Sequence, residues 1–109
     1  EALSNLYIGL GRYQRGERLS ALTFTQQYAF QRVLDLAELA YPLAQTGQDP
    51  FVRDRRYEQR CAAMQPYLAD MLGGYTRIPE SALAMLAFLD AHFEVNATIK
   101  AQITALARA

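Results

Sequence analysis

The sequence predicts an all-α protein, an antiparallel bundle of four to five helices forming a single domain over residues 1–109. Three observations predict it. Apolar residues recur at steps of three and four along almost the whole chain, the spacing of one helix face. No run of alternating β-branched residues and no Asn-Gly hairpin turn interrupts them. Gly, Pro, Asp and Asn fall at intervals suited to helix ends.

The first helix is expected over 2–15, with Leu3, Leu6, Tyr7, Leu10 and Tyr13 on one face. Gly9 and Gly11 lie inside it and cost about 1 kcal/mol each against Ala, which predicts that another backbone or a ligand comes close there. Gly16 is a left-handed cap. A second helix is expected over 17–44, with Leu19, Leu22, Gln26, Ala29, Phe30, Val33, Leu36, Ala37 and Ala40 facing inward and Pro42 near its end. "QTGQDP" then reads as turn chemistry.

Asp49 followed by Pro50 predicts the start of a third helix running toward Met64, because Asp caps and Pro fits the first position. Pro66 breaks or kinks it. Beyond that point Leu68, Met71, Tyr75, Ile78, Ala82, Leu86, Leu89 and Phe93 keep helical spacing through Gly73-Gly74 and Pro79. Shared phase predicts a nearly collinear pair over 66–93, or one helix kinked near Pro79. Asn96 caps a last helix, 96–108, carrying Ile99, Ile103 and Leu106.

Composition narrows the function classes. The 109 residues are 51% hydrophobic and 20% charged, with a formal net charge of zero. That balance argues against general nucleic-acid binding, which draws on a basic excess. No apolar run approaches the roughly 18–20 residues that cross a bilayer. A lone Cys61 cannot form an internal disulfide, which points to the cytoplasm. Cys61 and His92 are the only soft ligands, too few for a structural zinc site. The chain opens "EALSNLYIGL", with no initiator Met and an apolar pattern running by Leu3. This predicts an excised or proteolysed domain with a portion missing upstream.

Charge clusters supply the candidate sites. In "DPFVRDRRYEQR", residues 49–60, Arg53, Arg56 and Arg60 fall on one helical stripe and Asp54 and Glu58 on another, with Arg55 and Tyr57 between. Such charges either pair along a solvated helix start or present arginine forks for carboxylate or phosphate, with Tyr57 as a stacking face. A second cluster, "GRYQRGERLSA", crowds Arg12, Tyr13, Arg15, Glu17 and Arg18 at the first corner. Asp90 and Glu94 lie one helical turn apart around His92, either a solvated face or a pair able to hold a general base or a cationic amine. Arg32 adjoins a buried stripe, and either its stem carries the charge to water or it pairs with Glu58 or Glu38.

Taken together, "LYIGLGRYQRGERLSALTFTQQYAFQRVLDL", "DPFVRDRRYEQR" and "SALAMLAFLDAHFEVN" resemble the C-terminal helical domain of antibiotic-type nucleotidyltransferases, the lincosamide nucleotidyltransferase group in particular. The resemblance covers most of the chain. It implies a helical domain that lines an acceptor-substrate cleft and builds a homodimer. It also implies an N-terminal α/β catalytic domain whose Gly-Ser loop and Asp-x-Asp pair hold Mg2+ and a nucleoside triphosphate. Neither motif occurs in this sequence, so no cofactor is assigned to these residues.

Arg55, Arg56, Tyr57 and Glu58 match the family-like segment, and Tyr13 and Arg15 match the corner. The resulting expectation is a cytoplasmic domain that binds a small hydroxylated acceptor, such as an antibiotic, and transfers no nucleotide alone. Glu58 is the candidate base; Tyr13, Arg15, Arg53, Arg55, Arg56, Tyr57, Asp90 and Glu94 are the candidate substrate contacts. The alternatives are a helical protein–protein interaction module without small-molecule chemistry and a ligand-sensing regulatory domain.

Overall fold

Helix α1, Ala2–Gln14, forms where the first apolar stripe predicts it and buries Leu6 and Leu10 completely. Its end is a Schellman motif built on Gly16 at φ +85°. The amide of Gly16 donates to the carbonyl of Tyr13 at 3.0 Å and that of Glu17 to Arg12 at 2.9 Å. Of the two helical glycines, only Gly9 answers a close approach. A Cβ there would lie 2.7 Å from Thr25 Cγ2, whereas one at Gly11 would meet nothing closer than Arg15 at 3.6 Å.

The computed structural model describes residues 1–44, 49, 52 and 54–109. After α1, the chain runs without a break through α2 (Arg18–Leu22), a π-helical stretch (Thr23–Ala29) and α3 (Phe30–Ala40). This replaces the single α-helix expected to Ala44. Tyr41 is extended, as a residue before proline tends to be, so the helix stops there. The inner face also differs: Leu19 is 70% exposed, while Ala21, Thr25, Ala29, Val33 and Ala37 are buried. A spacing of four drifts on an α-helix of 3.6 residues per turn, and the wider π turn absorbs part of that drift.

The third helix does not begin at Asp49. Asp49 Oδ1 accepts the Val52 amide at 3.1 Å, a local turn, and residues 54–56 turn again. Arg56 then takes a left-handed conformation, φ 60°, and α4 spans only Tyr57–Arg60. The expected role of Pro50 at the helix start lies outside the described residues.

Pro66 opens a helix instead of breaking one, sitting in the first turn of α5, Gln65–Met71. The collinear pair expected over 66–93 is a reversal. Gly74, at φ +90°, turns the chain where a side chain is disfavoured. A short 3-10 turn, Tyr75–Arg77, then leads into α6, Ile78–His92. The two helices pack side by side, with the Tyr67 and Phe88 rings 5.1 Å apart. Pro79 lies in the first turn of α6 and kinks nothing.

Asn96 caps α7, Ala97–Arg108, as expected, its Oδ1 accepting the amides of Thr98 and Ile99 at 2.9 and 3.2 Å. Gln14 Nε2 donates to the carbonyl of Leu106 at 2.7 Å and ties α1 to α7.

The result is compact and mostly helical, an all-α protein with no strand among the described residues. Its core joins Leu6 and Leu10 to Val33, Leu34, Met71, Met85, Leu86 and Ile103, drawn from α1, α3, α5, α6 and α7. Fully burying each such side chain contributes about 1.5–3 kcal/mol. No helix among the described residues is long and apolar enough to cross a membrane.

Candidate functional site

A recess of about 140 Å³ opens between α3, α4 and α5. Phe30 and Leu34 line it from one helical turn of α3, and Leu68 and Leu72 from the end of α5 and the residue after it. Tyr57 completes the apolar wall and is 4% exposed. Asp54 and Glu58 stand at the rim, both side chains in solvent. The left-handed backbone of Arg56 sets this arrangement, because it turns the chain just before Tyr57 goes inward and Glu58 outward. No ion pair among the described residues engages Asp54 or Glu58. An apolar floor beside two available carboxylates can hold the hydrocarbon part of a small molecule and accept hydrogen bonds from its hydroxyls.

The other expected site residues are distributed elsewhere. Arg55 reaches back to Asp49 at 3.2 Å. Arg56 and Arg60 do not share a helical stripe, since α4 begins only at Tyr57. Arg60 is nearly buried and its Nε donates to the carbonyl of Ala44 at 2.7 Å, fastening the segment after α3. Arg53 lies outside the described residues. Tyr57 is a core residue and not the solvent-facing stacking platform expected of it.

The first corner is largely engaged with itself. Arg12 donates to Ser20 Oγ at 2.7 Å and lies over the Phe24 ring, 4.4 Å from its centre. Arg18 lies over Tyr13 at 5.0 Å, and Arg15 pairs with Glu17 at 3.0 Å. Arg15 borders a separate surface groove of about 550 Å³ between α1 and α7, so neither it nor Tyr13 joins Glu58 in one cavity. Arg32 pairs with Asp35 at 3.0 Å, not with Glu58.

The Asp90 and Glu94 pair is not assembled on one helix face. Helix α6 ends at His92, Phe93 is extended, and Glu94 lies beyond it. Asp90 instead accepts Lys100 Nζ at 2.6 Å, joining α6 to α7.

Sequence reasoning missed an aromatic cluster around His92. Its Nδ1 donates to the carbonyl of Phe88 at 3.0 Å, one helical turn back. A neutral ring then accepts the Tyr41 hydroxyl at Nε2, also at 3.0 Å. The His92 and Phe88 rings lie 4.4 Å apart. Burial pushes the Tyr41 phenol above its usual range, and the neighbouring Tyr67 hydroxyl and Cys61 thiol add to the shift. The i, i+4 spacing of Phe88 and His92 was visible in the sequence; their meeting with Tyr41 and Tyr67 was not.

Among the described residues no group of three His, Cys, Asp or Glu side chains could hold a metal ion. The chain matches no family model, no curated protein and no solved structure.

Proposed function

We propose that this chain is the acceptor-binding helical domain of a cytoplasmic nucleotidyltransferase, acting with an α/β catalytic domain and pairing as a homodimer. The resemblance of its segments to antibiotic-type nucleotidyltransferases motivates the reading. The observation that carries it is Glu58, a carboxylate at the rim of an apolar recess in one of the segments that carry the resemblance. In this reading the helices form an antiparallel bundle with the acceptor seated against Phe30, Leu34 and Leu68.

Glu58 takes the proton of the acceptor hydroxyl as its oxygen attacks the α-phosphorus and pyrophosphate leaves. Asp54 orients the same molecule through a second hydroxyl. Magnesium and nucleotide belong to the catalytic domain, whose Gly-Ser and Asp-x-Asp motifs are absent here, so no step is drawn through them.

The test is the native protein from its source cells. Its intact mass should exceed the 12.3 kDa of this chain, and the additional sequence should carry both motifs. Glu58→Gln in that enzyme should lower kcat about 100-fold or more, the scale of general-base catalysis, with little change in KM. A native mass of 12.3 kDa with no nucleotidyl transfer, alone or with a partner chain, ends the reading.

One observation favours a second reading, an interaction module. Tyr7 and Ile8 on α1 are 43% and 40% exposed and border the groove that Leu106 closes from α7. If that surface is the working one, Ile8→Asp changes the oligomeric state measured by light scattering, and Glu58→Gln changes nothing.

A further inference from the structure

Helix α1 leaves one face uncovered. Glu1, Ser4, Ile8 and Arg15 follow at steps of three, four and seven, close to one line on a helix of 3.6 residues per turn, and all four are exposed. Ile8 is 40% exposed, and Tyr7 beside it 43%. Single apolar residues on a surface are ordinary, so the groups around Ile8 decide what the face can hold.

The two charges on this line stand at its ends and are opposite in sign. Glu1 flanks the helix on one side and Arg15 on the other, each seven residues from Ile8. Glu1 takes part in no ion pair among the described residues and makes no side-chain bond to cap its own helix. Arg15 pairs with Glu17, two residues on, in a contact that water screens. The line is therefore its own complement when reversed. A second copy turned end for end about Ile8 sets Glu1 against the partner's Arg15, Arg15 against the partner's Glu1, and Ile8 against the partner's Ile8. Laid parallel, the same copy sets glutamate against glutamate and arginine against arginine, which repel. This charge pattern selects one orientation as well as one partner. A face made for an unrelated protein has no need of such symmetry.

We infer that α1 is the two-fold contact of a homodimer, packed antiparallel on the α1 of a second copy with Ile8 at the axis. This contact rests on the homodimer of the proposed function and on none of its chemistry at Glu58. A helix of 13 residues is about 20 Å long, so the contact belongs to the small, reversible class of interfaces.

The test is the mass of the full chain by light scattering across a concentration series. The wild type should pass from monomer to dimer. Glu1→Arg and Arg15→Glu should each raise the dissociation constant about tenfold, because symmetry breaks two pairs at once and sets like charges together in their place. The double variant should restore the wild-type value, which a folding defect in either single variant would not allow. Ile8→Cys should join two chains through a disulfide under oxidised glutathione, since residue 8 meets itself at the axis and Cys61 is buried. Ser4→Cys should not, because the two copies of residue 4 lie about 12 Å apart along the helix direction, beyond the roughly 7 Å between Cα atoms that a disulfide spans. A dimer indifferent to both charge swaps, or one joined equally through residues 4 and 8, would overturn this contact and leave the homodimer standing. A wild type that stays monomeric at every concentration would overturn both.

Discussion

Gln26 holds the backbone of Gly74 from both sides. Its Nε2 donates to the Gly74 carbonyl at 2.9 Å, and its Oε1 accepts the Gly74 amide at 2.8 Å. The side-chain amide thus pairs with the peptide as a neighbouring strand would. It does so from the π-helical stretch, across to the turn that reverses the chain between α5 and α6. Next to it, the Gly73 amide donates to Ser81 Oγ at 2.8 Å, and Ser81 is fully buried. The turn that positions Leu72 at the recess is therefore fastened to α6 as well as to the second helical run.

Replacing Gln26 by Ala removes both bonds and leaves the Gly74 groups to find water. Each unmade bond to a partly buried group costs about 1–3 kcal/mol, so the variant should lose about 2 kcal/mol or more in urea unfolding. Amide exchange at Gly74 should accelerate before global unfolding does. Gln26→Glu keeps the acceptor and loses the donor, and should fall between the two. Unchanged exchange at Gly74 in the Ala variant would show that the pairing does not hold the turn.

The parts of this fold that were legible were those specified by neighbouring residues. Gly16 and Asn96 mark the end of α1 and the start of α7 because a cap acts within one turn. The reversal at Gly74 was hidden because the apolar phase of 66–93 happens to continue through it, and only packing distinguishes a hairpin from a straight run. The π stretch was hidden because no apolar spacing marks it: Thr25 donates to the carbonyl of Ala21 within its own helical run, and Gln26 reaches the distant Gly74. At the recess, Glu58 stood out by its charge, whereas Phe30, Leu34, Leu68 and Leu72 read as ordinary core residues. Asp90 and Glu94 share a face only if the helix continues past His92, and Phe93 is already extended.

The two glycines of α1 should respond oppositely to Ala. At Gly9 the new methyl would lie 2.7 Å from Thr25 Cγ2 and 3.1 Å from Phe24 Cβ, on the tightly packed second helical run. Overpacking of this kind costs about 1–3 kcal/mol. Gly11 has room and helical backbone, so Ala there should gain up to about 1 kcal/mol from helix propensity. Thermal melts of the two variants should move in opposite directions. A loss at Gly11→Ala would mean that its open surface is occupied in the folded protein.

Tyr41 gives the chain a distinct alkaline titration. Its phenol is raised above the usual 10.0 by burial, with Tyr67 and Cys61 contributing. An acid with a folded-state pKa above its unfolded value holds its proton more tightly in the native chain. The stabilisation is complete below about pH 10 and is lost as pH rises through the native titration. Absorbance of phenolate should therefore show a step at higher pH than that of free tyrosine, absent in Tyr41→Phe. The same variant should show a weaker fall of stability with pH on the alkaline side. If the late step survives the substitution, the shifted phenol is another tyrosine.

The α6–α7 corner contrasts two polar contacts of similar length and different worth. Asn96 satisfies two amides that the first turn of α7 would otherwise leave to solvent. Asp90 and Lys100 meet at 2.6 Å, but their side chains are 38% and 46% exposed. Water screens the charges, and two flexible side chains lose freedom in meeting, so such pairs contribute about 0–1 kcal/mol. A cap replaced by Ala costs about 1 kcal/mol and up to about 2. Asn96→Ala should thus destabilise more than Asp90→Asn, and only the Asp90 variant should lose its effect in molar salt. Chemical denaturation at low and high ionic strength measures both. The reverse order would mean that the ion pair, and not the cap, holds α7 against the core.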